Sequence, residues 1–220
     1  MTDAPHLETL ARAEPAADDP DGRRRRGNRT RESILQAAAD LASVEGLEGL
    51  TIGRLATELG ISKSGLFAHF GSKEELQLAT IDAARQRFVD HVVKPSRALP
   101  RGRARLESLM NDWLAYYRTE VFAGGCFFHT IKAEFDSRPD NAVREVVMED
   151  VRQFLGLLVR EVRKAQEAGD LDPAVEPEQL AFELDALGAA ANGQFQLMQD
   201  PAVFDRAETA IRARLESVGI

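Results

Sequence analysis

The sequence is poor in several things, and each shortage excludes something. It holds one cysteine, Cys126, in 220 residues. No disulfide can form within the chain, and a reducing cytoplasm is the expected setting. Cys126 and His129 lie one helical turn apart. Of the other histidines, His6 is in the tail, His69 in the head and His91 alone, so no second pair completes a metal site; neither a metal nor another cofactor is expected. No run of about 18 apolar residues occurs, which argues against a membrane partner. The first 22 residues carry one basic residue, Arg12, against six acidic ones, with no continuous apolar core, and do not read as a secretory signal. Strand-like alternation of apolar and polar residues is missing throughout. So is any nucleophile with its base, carboxylate pair or phosphate-cradling glycine loop, since Gly124-Gly125 alone reads as a helix breaker. The chain is not expected to be an enzyme.

Apolar residues make up 44% of the chain, enough to bury a core, and the formal net charge is −8. The charge is unevenly spread. Residues 1–22 are net −5, residues 23–75 net +2 and residues 76–220 net −5. The positive segment opens with Arg23, Arg24, Arg25 and Arg26, followed by Arg29 and Arg31. A local basic face on an acidic protein is compatible with DNA, because phosphate contacts are made locally. Non-specific packaging of nucleic acid is disfavoured by the acidic remainder.

Periodicity predicts nine helices and an all-α fold. Residues 1–27 read as a disordered tail ending in a basic arm. The first helix is expected from about Asn28 to Val44, stopped by Gly46 and Gly49. Thr51 offers a hydroxyl cap for a short helix to Leu59, and Gly60 ends it. Ser62 caps a second short helix, Lys63 to Phe70. Ser72-Lys73-Glu74-Glu75 reads as a capping box opening a longer helix to about Val93. Five more follow, over about 103–120, 126–135, 140–168, 177–198 and 201–217. Two short helices cannot form a core alone, so Ile52, Leu55, Leu59, Ile61, Leu66 and Phe70 are expected to pack on Ile34, Leu35 and Ala38. Lys63, Ser64, Gly65, Ala68 and His69 remain on the outer face. They are small or hydrogen-bonding groups that fit a major groove.

The stretch TIGRLATELGISKSGLFAHFGSKEEL, from Thr51, resembles the DNA-binding head of the tetracycline-repressor (TetR) family. The matching residues are Thr51, Ile52, Leu55, Ala56, Gly60, Ile61, Ser62, Leu66, Phe67, His69, Phe70, Lys73, Glu74 and Leu76, within about residues 28–76. The resemblance implies a helix-turn-helix head over 28–75 on a regulatory and dimerisation body over 76–220. It implies phosphate contacts from Thr51, His69 and Lys73. Lys63, with Ser64 and Gly65 beside it, is the group expected to reach a guanine edge, and Arg23 to Arg26 are expected to add backbone contacts. Phe67 stands where the family usually has Tyr, so a phosphate contact through that hydroxyl is absent.

The function so implied is ligand-responsive repression: a homodimer on a palindromic double-stranded DNA operator, released by a small apolar or aromatic effector. The last two helices are expected to pair with their copies, supported by the small residues Ala186, Gly188, Ala189, Ala190 and Ala191. The candidate effector residues are Trp113, Tyr116, Tyr117, Cys126 and Phe127, with Phe128, His129, Phe154 and Phe195.

Overall fold

The structure, a computed structural model, describes residues 20–220, with the backbone alone for residues 20–26. The expected tail over residues 1–19 lies outside the described residues, as do the side chains of Arg23 to Arg26. The first helix begins at Pro20 rather than near Asn28. A proline costs nothing in a first turn, where its missing N–H would have no partner.

Among the described residues there are nine helices and no strand. In chain order they are α1 (Pro20–Gly49), α2 (Ile52–Leu59), α3 (Lys63–Phe67), α4 (Lys73–Phe88), α5 (Arg103–Arg118), α6 (Phe127–Phe135), α7 (Ala142–Glu167), α8 (Pro177–Met198) and α9 (Ala202–Ser217). Within α1 the chain turns sharply at Gly46, whose φ of 76° is open to glycine and strained for other residues. The helix α4 continues without a break through a π turn (Val89–Val93) and a last α turn (Lys94–Ser96). Pro95 explains the widening. It has no N–H to donate and its ring crowds the carbonyl one turn back; the Lys94 N–H reaches the Val89 carbonyl instead.

The head closes on Ile34, Leu35, Ala38, Leu55, Leu66 and Phe70, all buried. Ile61 departs from expectation. It remains 41% exposed, because the connection after Gly60 (φ 64°) swings it outward, while Leu59 is only partly buried. The second short helix ends at Phe67, not Phe70. The body packs α5, α6, α7 and α8 around the far end of α4, and α9 lies against α8 and α5. It meets the head through the packing of α6 and of α4 on α1.

The small-residue run on α8 divides. Gly188 and Ala191 are buried, and a Cβ at Gly188 would collide with the Trp113 ring, so that glycine serves packing within the chain. Ala186 and Ala190 are exposed on the same face as Phe182 and Leu197, the latter 82% exposed.

Candidate nucleic-acid interface and ligand cavity

Each short helix of the head is started by the hydroxyl that the sequence places there. Thr51 Oγ1 accepts from Arg54 N at 3.0 Å, Ser62 Oγ from Gly65 N at 3.1 Å and Ser72 Oγ from Glu75 N at 3.0 Å. Glu75 reaches back to Gly71 N at 3.0 Å, one residue before the cap. Thr51, Lys63, Ser64, Gly65 and Phe67 are all exposed, and His69 half so. The Lys63 ammonium end lies over Gly53, beside the N-terminal turn of α2, where N–H groups point outward. Phe67 is 54% exposed, an apolar ring on the outer face with nothing covering it among the described residues. Arg31 lies over the Phe70 ring at 5.0 Å and is thereby partly used inside the head.

Lys73 is not free. Its Nζ donates to the Glu48 carbonyl at 3.0 Å and to Glu48 Oε2 at 2.8 Å, and this pair holds the Glu48 carboxyl below its usual range. Gln77 Nε2 donates to the Leu47 carbonyl at 2.6 Å. From the body, Glu134 of α6 accepts from Leu47 N at 2.7 Å and from Glu48 N at 2.9 Å. The turn after Gly46 is thus gripped by α4 on one side and α6 on the other. Thr130 of α6 adds a bond to the Ser43 carbonyl at 3.1 Å, and Ser43 Oγ accepts from Gly124 N at 2.9 Å.

In the body, a cavity of about 360 Å³ opens between α4, α5, α6, α7 and α8. Of the nine expected effector residues, Trp113, Tyr117, Cys126, Phe128, His129 and Phe154 line it. Tyr116, Phe127 and Phe195 do not. Tyr116 packs edge-on against Phe88 and Phe122, Phe127 is fully buried between Phe122 and Phe128, and Phe195 meets Phe204 of α9 at 4.9 Å. One helical step separates Phe127 from Phe128, and that step turns a ring from cavity wall into core. Burial pushes the Cys126 thiol up to about 11, so at neutral pH it carries almost no thiolate and is a poor redox sensor. His129 is pushed down by burial, and Lys132 nearby adds to this, so the neutral ring is favoured.

Residues 34–80, which hold this head, match a described family, "Bacterial regulatory proteins, tetR family". Residues 102–211 match the "Tetracyclin repressor-like, C-terminal domain". The chain belongs to the TetR family. An uncharacterized helix-turn-helix-type transcriptional regulator of Mycobacterium tuberculosis is 32% identical over 108 residues, 44% of this chain and 48% of that one. The helix-turn-helix-type transcriptional repressor DrrR1 of Streptomyces coeruleorubidus is 36% identical over 94 residues, 40% of this chain and 32% of that one. The chain thus spans half or less of these curated relatives. Among solved structures, a TetR transcriptional regulator from Chloroflexus aurantiacus superposes with a TM-score of 0.78 at 24% identity, over 89% of this chain and 98% of that one. A Saccharomonospora viridis protein solved in complex with choline gives 0.70 at 21% identity, over 88% and 99%.

Within this TetR-family chain, sequence reasoning missed the groups that join head to body and the charges around the cavity. Glu134 carries no local signal, because its partners are backbone N–H groups 86 and 87 residues away. Phe88 and Val89 of α4, the Arg85–Asp150 ion pair and Asp185 of α8 also line the cavity. Phe88 follows the helical spacing of α4 and could have been found from it; Asp185 could not, since an acid on a helix usually marks the solvent side.

Proposed function

We propose that this protein is a DNA-binding transcriptional repressor with a head over 28–75 and a body over 76–220, acting in the cytoplasm. It binds a palindromic operator as a homodimer and is released when a small molecule enters the body cavity. The single observation that carries the reading is that α4 and α6 each both line the cavity and grip the head. On α4, Phe88 and Val89 line it, while Lys73 and Gln77 hold the Leu47–Glu48 turn. On α6, Phe128 and His129 line it, while Glu134 and Thr130 hold the end of α1. A ligand that spreads these helices therefore acts on the head through two contacts at once. It shifts DNA affinity only as far as it prefers one head spacing over the other. A coupling of about 1–3 kcal/mol is typical. The π turn at Val89–Val93 is the soft point of α4 beside the cavity, a feature frequent where helices serve a function.

On the DNA, Thr51 and His69 hold phosphates, Lys73 does so with the one ammonium proton that Glu48 leaves it, Lys63 reads a base edge with Ser64 and Gly65 allowing close approach, and Arg23 to Arg26 extend the backbone contacts. Phe67 offers an apolar contact to sugar or to a thymine methyl group. Dimerisation through α8 and α9 is favoured by the exposed apolar face of Phe182, Ala186, Ala190 and Leu197. That a neighbour in fold was solved with choline supports small-molecule binding by this architecture.

Footprinting on the DNA flanking the protein's own gene tests the reading. A protected inverted repeat, with half-site centres about 34–36 Å apart or a multiple of it, is expected. Equal affinity for random duplex and for every candidate site would overturn it.

A further inference from the structure

The cavity's charges bear on what kind of effector it takes, given the reading that it takes one. Phe88 meets Phe154 edge-on at 5.4 Å and Phe128 at 5.8 Å, while Trp113 meets Phe154 at 4.7 Å. Such rings present negative faces, which attract a cation within about 6 Å of the centroid. Two carboxylates also line the space. Asp150 is committed to Arg85, with Nε at 2.6 Å and Nη2 at 3.2 Å. Asp185 is different. It is half-buried on α8, and among the described residues it makes no hydrogen bond and no ion pair; Lys132 and His129 act on it only at a distance.

The opposing charges do not cancel it. Lys132, Arg97 and Arg160 are exposed at the rim, where water solvates them and no partner is needed. His129 is biased toward its neutral form by its own burial. A half-buried carboxylate without a partner is costly, whereas a solvated ammonium or guanidinium is not. The unmet need in this cavity is for positive charge.

We propose that the effector is an organic cation, with a protonated amine or quaternary ammonium group seated between Asp185 and the aromatic walls. Its apolar body fills the rest of the cavity, against the Trp113, Phe88 and Phe154 rings.

Trp113 is the chain's single tryptophan, so its emission reports directly on the cavity wall. The full-length protein is titrated with benzyltrimethylammonium, with phenylacetate and with benzyl alcohol, each to ~10 mM, since probes this small bind weakly. Saturable quenching by the cation and none by phenylacetate is expected. Asp185→Asn should weaken the cation by about tenfold and leave benzyl alcohol unchanged. Lys132→Gln should strengthen the cation by removing a repulsive neighbour. Tighter binding of phenylacetate, or cation binding indifferent to Asp185→Asn, overturns the charge assignment; release of DNA by phenylacetate would then leave the ligand-responsive reading standing. Silence from all three probes, with DNA binding also unaffected by filling the cavity through Ala189→Phe, overturns both. Circular dichroism of each variant confirms that the fold is kept.

Discussion

Replacing Glu134 should uncouple head from body, and its size can be worked from the contacts. The carboxylate accepts two backbone N–H groups, Leu47 at 2.7 Å and Glu48 at 2.9 Å, just after the chain turns at Gly46. Its side chain is only 14% exposed. Hydrogen bonds to a charged group contribute about 1.5–3 kcal/mol each when the partner is left buried. Water can reach the Glu48 end after truncation, so the expected loss for Glu134→Ala is about 2–3 kcal/mol in urea unfolding, or ~4–12 °C in Tm. Glu134→Gln keeps acceptor capacity without charge and should lose about 1 kcal/mol. Gly46→Ala supplies the second arm of a double-mutant cycle. Its Cβ would sit 2.7 Å from Glu134 Oε2, at a φ of 76° and ψ of 169°, a backbone region essentially reserved for glycine that costs another residue about 1–3 kcal/mol. Removing the carboxylate relieves the collision but not the backbone strain. The double variant should therefore lose clearly less than the sum of the singles. Strict additivity, or a loss under about 0.5 kcal/mol for Glu134→Ala, would refute the clamp.

Four more outcomes are expected. Ala189→Phe places a ring in the cavity and should change operator affinity by about 5–150-fold without altering base preference, measured by gel shift; unchanged affinity would exclude coupling through this space. Lys63→Ala should cost about 1–3 kcal/mol of operator binding and relax preference at particular base positions. Lys73→Ala should weaken all duplexes alike, and it should also lower stability slightly because it frees Glu48; equal, uniform losses from both would remove Lys63 from base reading. Ala190→Glu on the exposed face of α8 should yield a monomer by light scattering and abolish operator binding together. A monomer that still binds a palindrome tightly would remove α8 from the interface.

Local chemistry made the helical order, the caps and the head legible before any coordinates. Thr51, Ser62 and Ser72 act on N–H groups three residues on, and Gly46 and Gly60 break the chain through their own φ, so short-range pattern was enough. Burial by periodicity held for Leu55, Leu66 and Phe70 but failed at Ile61, where the turn's direction outweighs the residue's apolarity. The tertiary structure alone decided which aromatic rings face the cavity, that Gly188 makes room for Trp113, and that Asp185 has no hydrogen-bond or ion-pair partner among the described residues. It alone also joined Glu134 to the turn at Leu47. Each of these depends on how helices far apart in sequence are rotated against one another, and a composition or a 3.6-residue period carries no term for that rotation.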